Sequence, residues 1–349
     1  MNRKQFGGKI TKHWLSQYET SPHWHDGLFR NLMPTQTAIN WRQLPGILCK
    51  QIKGHPKGYP PKDLPVERLD QKKFFNSSLG TNFAWYGHSV ILMRIGGLTV
   101  LIDPMLGPDA SPIAPTKTRR FSGNTLSLID DLPGIDLMLL SHDHYDHLDY
   151  ESIRRLKEKT KKYFVALGVK RHLVSWGIEP DTITEFDWWH QHVSGDLLVT
   201  FTPTRHFSGR GLSSLSKCLW GGWAIRCGEE NIWFSGDSGY GDHFKEIGER
   251  LGPFDFGMME CGQYNDDWPE IHMFPDQSVT AALDASVRRA MPVHWAGFNL
   301  SYQHGWFEPA DVFVKQANQR SLEVLTPRLG EIFNLHSQTN RWWQLKPNY

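Results

Sequence analysis

The sequence lacks the features that define several large classes of protein. No stretch approaches the run of about 20 apolar residues that spans a bilayer. No apolar core follows the basic residues near the N-terminus, as a secretory signal requires. The four cysteines Cys49, Cys218, Cys227 and Cys261 are scattered, without the paired spacing of a zinc ribbon or a disulfide framework. We therefore expect a cytoplasmic protein with free, buried thiols.

Two further absences argue against a covalent serine or cysteine nucleophile and against nucleic acid binding. No serine or cysteine lies in a nucleophile-elbow context. No clustered Lys/Arg motif or appended RNA-binding module accompanies the net charge of +1, so we expect no nucleic acid partner. The charge is unevenly spread, because residues 1–76 carry 13 Lys and Arg against 5 Asp and Glu, whereas residues 77–349 carry 25 against 32. A basic N-terminal part therefore precedes an acidic body.

The composition indicates a globular protein with an appended arm. The 349 residues are 39% hydrophobic and 13% aromatic, which suits one large layered domain. Residues 1–76 are rich in proline and aromatic residues with little periodicity, and we interpret them as a basic, extended arm or cap on a body of residues 77–349. The arm, with Trp14, Trp24 and Trp41, either covers the functional site, contacts an acidic membrane surface at the inner membrane face, or packs passively along the body.

The body alternates β-rich runs with amphipathic segments. Residues 98–102 follow an earlier β-rich run across Gly96 and Gly97, which is typical of a hairpin. We predict strands at 83–86, 89–95, 98–102, 197–202, 223–226, 231–234, 254–259 and 322–325, and helices at 150–161, 242–250, 276–287 and 309–318. Such an alternation is typical of a layered α/β or α+β protein.

A dense ligand motif follows the apolar run from Ile135 to Leu140. The segment Ser-His-Asp-His-Tyr-Asp-His-Leu-Asp begins at position 141. Because residues two apart in an extended chain face the same way, His142 and His144 can share one metal ion. Asp146 and His147 lie one short turn further and can reach a second ion. The alternative, a polar surface loop with solvated histidines, explains this density of imidazole and carboxylate poorly.

Three further positions come directly after predicted strands, namely His206, Asp237 and His294. Each position alone is weak evidence for a metal ligand. A lone histidine after a strand is more often structural, and Gly-Asp-Ser-Gly is more often a plain turn. Their order after the His142 motif makes them candidate ligands.

This order of motifs resembles the metallo-β-lactamase superfamily, in which a His-x-His-x-Asp-His loop is followed by a later His, a later Asp and a final His. The resemblance implies a four-layer αββα sandwich with the site at one edge of the two sheets. It also implies one ion held by His142, His144 and His206, another held by Asp146, His147 and His294, and Asp237 as the bridge. Asp146 and Asp237 would then be catalytic residues as well as ligands.

Within the superfamily, the chain is more closely similar to the N-acylphosphatidylethanolamine-hydrolysing phospholipase D group and its bacterial relatives. The motifs that carry this similarity are Trp85-Tyr86-Gly87-His88-Ser89, Asp103-Pro104, residues 141–149, residues 202–210 with Trp220 and Gly222-Trp223-Ala224, Gly236-Asp237-Ser238-Gly239-Tyr240, Gly252-Pro253-Phe254-Asp255 and Val293-His294-Trp295. One segment departs from the group. Met259-Glu260-Cys261-Gly262-Gln263-Tyr264 stands where the group typically has Ile-Pro-Ile-Gly-Ala-Tyr, which changes the expected pocket wall.

We therefore predict a dinuclear metal-dependent hydrolase, favouring a phosphodiesterase of phospholipase D type that acts on N-acylphosphatidylethanolamine-like or other amphiphilic phosphodiesters. Two divalent ions, Zn first with Mn or Fe as alternatives, would activate a bridging water and clamp the reacting oxygens. A lactonase or another ester or amide hydrolase is the first alternative, and an iron-bound redox protein is the second. The oligomeric state is left open.

Five more residues are candidates around the site. Asp103 either supports a liganding histidine and the attacking water or simply ends a strand. By the resemblance, His272 lies where related phospholipases have a functional histidine, and it either assists the leaving group or is a solvated loop residue. His88 is either a support for the ligands or a buried structural histidine. Tyr240 and Tyr264 either line the pocket or pack as ordinary aromatic residues.

Overall fold

The computed structural model describes residues 3–37, 44–76, 80–111, 118–211 and 214–344, and Trp41 of the arm lies outside them. The strands in these ranges are β1 (Trp24–His25), β2 (Leu28–Phe29), β3 (Asn82–Trp85), β4 (Ile91–Ile95), β5 (Leu98–Ile102), β6 (Ile135–Leu140), β7 (Thr160–Ala166), β8 (Ile183–Phe186), β9 (Gln191–Ser194), β10 (Leu197–Thr202), β11 (Gly222–Cys227), β12 (Glu230–Phe234), β13 (Phe256–Glu260), β14 (Arg289–Val293), β15 (Glu323–Val324) and β16 (Ile332–Phe333). The helices are α1 (Lys12–Tyr18), α2 (Leu44–Lys53), α3 (Gln71–Phe75), α4 (Leu128–Asp131), α5 (Tyr150–Leu156), α6 (Lys170–Ser175), α7 (His243–Leu251), α8 (Pro275–Asp284) and α9 (Glu308–Gln319).

Two seven-stranded sheets form the centre of the body. The first has the order β16-β3-β4-β5-β6-β7-β8, and the second has the order β15-β14-β13-β12-β11-β10-β9. β4 and β5 form the predicted hairpin, in which Gly96 and Gly97 both have a positive φ, as a tight turn requires. The strands from β5 to β8 are parallel, and so are those from β12 to β15. Each sheet is therefore mixed, with one parallel half.

The sheets pack face to face through large aromatic side chains. The rings of Phe83 in β3 and Phe256 in β13 have centroids 5.1 Å apart, and Phe186 and Trp223 make a similar contact at 5.1 Å. α8 and α9 pack on the outer face of the second sheet, and α6 packs against β8 of the first sheet. The αββα sandwich expected from the sequence is confirmed.

This topology brings the candidate ligands to one edge of the sandwich. The loop with His142 follows β6 of the first sheet, whereas His206, Asp237 and His294 follow β10, β12 and β14 of the second. β12 and β14 flank β13 in parallel, so the carboxyl ends of these strands meet at the same edge.

Several predicted bounds differ from the structure by a few residues, and two local predictions differ more. The helix predicted over 150–161 ends at Leu156, because the chain makes one 3₁₀ turn and enters β7 at Thr160. The buried run from Tyr163 to Ala166 pairs in parallel with β6, and this pairing outweighs helical propensity. The arm also contains α1, α2, α3 and the β1–β2 hairpin rather than an extended chain.

The arm packs against the body over much of its described length. Tyr18 is fully buried between Trp24 and Phe29, and its hydroxyl lies 3.4 Å from Nη1 of Arg171. The carbonyl of Gln5 accepts hydrogen bonds from the buried guanidinium of Arg210 in the body. In the described part of the chain, no helix is both long and apolar enough to cross a bilayer.

Candidate metal centre

The loop from Ser141 to Asp149 turns its histidines toward one another. Nε2 of His142 lies 2.9 Å from Nδ1 of His144, as expected for residues two apart in extended backbone. His206, which follows β10, brings its Nε2 to 3.2 Å from the same Nδ1. His142, His144 and His206 therefore form one group of converging nitrogens, the first ligand group.

Asp146, His147 and His294 form a second ligand group beside the first. Oδ2 of Asp146 lies 3.3 Å from Nε2 of His294 and 3.5 Å from Nε2 of His147. The two Nε2 atoms are 3.3 Å apart, although the histidines are 147 residues apart in the sequence. Both imidazoles are fully buried, whereas Asp146 is partly exposed.

Asp237 lies between the two ligand groups. Its Oδ2 is 3.0 Å from Nε2 of His147 and 3.1 Å from Nε2 of His294. The same oxygen is 4.0 Å from Nε2 of His142 and 3.9 Å from Nε2 of His206. Oδ1 is buried and accepts no hydrogen bond from the described residues. One carboxylate therefore reaches both groups, which is the placement a bridging ligand needs.

The electrostatics of the cluster suit cations. Burial lowers the pKa of His142, His144 and His206, which keeps these imidazoles neutral and their lone pairs free. Burial acts against charge on His147 too, but the neighbouring carboxylates, Asp237 first, raise its pKa well above the ordinary value. The neutral imidazoles of the first ligand group, together with the carboxylates of Asp146 and Asp237, are donors that divalent transition metals prefer. The residues present therefore fit two such ions.

Asp103 contacts and supports the loop from Ser141 to Asp149, which we call the metal loop. Its Oδ2 is 2.8 Å from Nδ1 of His147, which leaves Nε2 of that ring facing the cluster. Oδ1 accepts the Ser141 backbone N–H at 2.8 Å, and Oδ2 accepts the Ser141 hydroxyl at 2.6 Å. The side chain is fully buried and the backbone is left-handed, with φ +40°. Asp103 therefore orients His147, a candidate ligand, as well as ending its strand.

His88 contacts the second ligand group directly. Its Nε2 is 2.9 Å from Oδ2 of Asp146, and burial lowers its pKa to about 3. Its backbone exchanges hydrogen bonds with the segment after β14, because His88 N–H donates to Trp295 and His294 N–H donates to His88. His88 thus orients both a carboxylate and a histidine of the cluster.

A cavity of about 260 Å³ opens on the cluster. His272 lies on its wall together with the carboxylates Asp146 and Asp237. An apolar part of the wall is contributed by Phe207, Trp268, Ile271 and Leu300. A substrate of mixed character therefore fits, with its polar group at the cluster and its apolar part along this wall.

Tyr240 and Tyr264 are not among the residues that line this cavity. The Tyr240 hydroxyl donates to Asp284 at 2.5 Å, and the Tyr264 hydroxyl donates to Glu308 at 3.2 Å. The ring of Tyr264 packs against His304, with centroids 4.4 Å apart. Both tyrosines therefore pack and hydrogen-bond outside the lining of this cavity.

The arm supplies residues that the sequence did not single out. Asn31 binds the His206 backbone on both sides, since its Nδ2 donates to the carbonyl at 2.8 Å and its Oδ1 accepts the N–H at 3.0 Å. Gln36 and Thr37 line the cavity. No local pattern marks these positions, because Asn31 and His206 are 175 residues apart. The arm thus contributes both to the shape of the cavity and to the placement of His206, a candidate ligand.

A buried network anchors the metal loop on its far side. Asp143, between the candidate ligands His142 and His144, accepts the Gly209 N–H at 2.7 Å and lies 3.2 Å from both Nε2 of His172 and Sγ of Cys218. The guanidinium of Arg210 donates to the carbonyls of Asp143 and of Leu148 at 2.8 and 2.7 Å. These contacts hold both ends of the loop in place.

Comparisons with known proteins agree with this geometry. Residues 99–295 match the model of the beta-lactamase superfamily domain. An uncharacterised protein of Mycobacterium tuberculosis is 35% identical over 334 residues, covering 94% of this chain and 88% of that protein. N-acyl-phosphatidylethanolamine-hydrolyzing phospholipase D 1 of Caenorhabditis elegans is 32% identical over 286 residues, covering 77% of this chain and 80% of that protein. A solved structure of a possible metal-dependent hydrolase from Veillonella parvula matches with a TM-score of 0.57 and 17% identity, covering 73% of this chain and 99% of that one.

An αββα sandwich with a His/Asp cluster at the edge of its sheets defines a class of metal-dependent hydrolases. The chain belongs to the metallo-β-lactamase superfamily, and its relatives include an N-acylphosphatidylethanolamine-hydrolysing phospholipase D. Membership implies divalent metal ions as cofactors, and the buried cluster fits them. The family predicted from the order of motifs is confirmed.

Proposed function

We propose that this chain is a dinuclear phosphodiesterase of phospholipase D type, acting on N-acylphosphatidylethanolamine-like or other amphiphilic phosphodiesters. The observation that carries the proposal is the position of Asp237, whose one carboxylate oxygen reaches both ligand groups. The similarity to the nematode phospholipase supports a phosphodiester, since it extends over 77% of the chain. The partly apolar cavity wall supports an amphiphilic substrate.

The two ligand groups would each hold one ion, with Asp237 shared. Zn is the first choice because the donors are imidazole and carboxylate without thiolate, and Mn or Fe fits the same donors. When bound, a pair of divalent ions supplies an activated water and neutralises the phosphoryl oxygens. His272 faces the same cavity and can hydrogen-bond the leaving oxygen.

The first test measures metal content and hydrolysis together. We expect about two divalent ions per chain, and hydrolysis of a bis-aryl phosphodiester that a chelator abolishes and added Zn restores. Elemental analysis of the purified protein and a colorimetric assay with and without chelator check this. Two ions with turnover of lactones or carboxylic esters only would favour the alternative ester hydrolase, and the absence of metal would contradict the dinuclear site.

The helix α2 supports membrane contact as part of this function. Positions 45, 48, 49 and 52 share one helical face, and on that face Leu48 is 53% exposed and Ile52 is 79% exposed. Lys50 donates to Asp267 at 2.9 Å, and Asp267 lines the cavity, so the helix lies near the cavity mouth. An apolar face flanked by lysines is typical of a helix lying in an anionic bilayer surface. We propose that α2 seats the chain on the cytoplasmic face of a membrane.

Polar substitutions on this face test the membrane contact. The double variant Leu48→Ser/Ile52→Ser should bind anionic vesicles at least about tenfold more weakly, since burying each side chain contributes roughly 1.5–3 kcal/mol. Vesicle co-sedimentation measures the change, and turnover of a soluble diester should stay the same. Leu283→Ser, at an exposed leucine of α8, is the matched control. If the double variant binds vesicles as tightly as wild type, the proposal that α2 contacts the membrane is wrong.

A further inference from the structure

Glu260 is a buried carboxylate at the edge of the sandwich that the proposed function does not yet use. It ends β13, between β12, which leads to Asp237, and β14, which leads to His294. Only 1% of the residue is exposed. A buried carboxylate is costly unless its oxygens are hydrogen-bonded, so its partners indicate what it does.

The partners of Glu260 are two imidazoles and one backbone N–H. Oε1 lies 3.0 Å from Nδ1 of His272 and 3.5 Å from Nδ1 of His294. Oε2 accepts the Met273 backbone N–H at 3.1 Å. The other acceptor near Nδ1 of His294 is the Gly262 carbonyl, at 3.4 Å. One carboxylate therefore serves a candidate ligand and a histidine of the cavity wall together.

The two imidazoles are held as a parallel pair. Their centroids are 5.2 Å apart and their planes differ by 19°. Because Nδ1 of each ring faces Glu260, Nε2 is the nitrogen left to each for another partner. In His294 it lies 3.1 Å from Oδ2 of Asp237, and His272 lines the cavity. A carboxylate at Nδ1 fixes both the tautomer and the orientation of an imidazole.

Glu260 lies in the segment Met259–Tyr264. By the resemblance described above, this segment departs from the phospholipase group, which would have a proline, without a side-chain acceptor, at this position. The segment is tightly placed, since a Cβ at Gly262 would lie 1.9 Å from the His294 carbonyl oxygen. The Ser235 hydroxyl also accepts the Glu260 N–H at 2.9 Å. The carboxylate therefore has little freedom to move away from the histidines.

We propose that Glu260 is a positioning residue that accepts the Nδ1 N–H of the doubly protonated His272 ring and so holds that ring with its Nε2 N–H donating to the leaving oxygen of the phosphodiester. This inference rests on the proposed function. In the hydrolysis, a water oxygen forms the new P–O bond, the P–O bond to the leaving alcohol breaks, and the alcohol gains one proton while the water loses one. The donation from His272 matters most when the leaving group is poor, because more negative charge then develops on its oxygen.

Glu260→Gln and His272→Asn test this role with aryl methyl phosphodiesters that differ only in how poor the phenolate leaving group is. For 4-nitrophenolate, kcat of Glu260→Gln should stay within about threefold of wild type, and for unsubstituted phenolate it should fall about 10- to 100-fold. His272→Asn should show the same trend with a larger loss. Adding Glu260→Gln to His272→Asn should cost little more, because the first residue acts through the second. Glu249→Gln, an exposed carboxylate of α7, is the matched control.

The outcomes separate this inference from the proposed function. Equal losses for good and poor leaving groups, or fully additive losses in the double variant, would overturn the role of Glu260. Loss of metal from Glu260→Gln, measured by elemental analysis, would also overturn it by assigning the residue to His294 alone. A wild-type chain that binds metal but hydrolyses none of the diesters would contradict the proposed function itself, and the role of Glu260 with it.

Discussion

Replacing Asp237 by asparagine should abolish turnover while the chain still folds. Oδ2 of this residue lies within 3.0 to 4.0 Å of four imidazole nitrogens from both ligand groups. Asparagine has almost the same shape, but it carries no charge and turns an N–H₂ toward part of this cluster. We expect kcat to fall by at least about 1,000-fold, which corresponds to about 4 kcal/mol of lost transition-state stabilisation.

The assay for this variant should include metal content and circular dichroism. Asp237→Asn should bind fewer than two ions per chain and keep the wild-type far-ultraviolet spectrum, since the site lies at the edge of the sheets rather than in the core between them. Asp181→Asn, the same change at an exposed position, should match wild type in every measurement. If Asp237→Asn binds both ions and turns over substrate as fast as wild type, the interpretation that Asp237 is a ligand shared by both ions is contradicted.

Part of the candidate ligand cluster can be predicted from local sequence information. His142 and His144 alternate in an extended segment, and strand periodicity alone places them on one side. β10 has the predicted bounds, and its end fixes where His206 enters the site. The position of Asp237 between the groups depends on sheet order instead, and only the likeness to a known family supplied that order.

The rest of the site depends on contacts between distant parts of the chain. Asn31 binds the backbone of His206 from the arm, and Glu260 contacts His272, which lies 12 positions further along the chain. Neither Asn31 nor Glu260 belongs to a periodic pattern or a ligand motif. The departure of the segment around Glu260 indicated a changed pocket wall, but it did not indicate a contact with His272. The helix predicted through Lys161 was also too long for this reason. The pairing of β7 with β6, a contact between distant residues, decides where α5 ends.

The second large effect is expected at Asp103, which joins the end of β5 to the start of the metal loop. It accepts three hydrogen bonds, from the N–H and hydroxyl of Ser141 and from Nδ1 of His147, all in fully buried surroundings. Asp103→Ala leaves these donors without their acceptor. We expect the free energy of unfolding to fall by about 3 kcal/mol or more, measured by urea denaturation.

Asp103→Asn separates support of the ligand from support of the fold. The amide keeps one acceptor oxygen for Ser141 but presents N–H₂ to another donor, so His147 loses its fixed orientation. We expect a smaller loss of stability than in Asp103→Ala, and metal affinity about 10- to 100-fold weaker, as for other residues that orient a liganding histidine. Competition with a chromogenic chelator measures the affinity. If Asp103→Asn binds metal as tightly as wild type, Asp103 does no more than shape the turn before Pro104. If affinity falls while the stability loss stays small, the carboxylate acts through His147, because a residue that only shaped the turn would affect stability first.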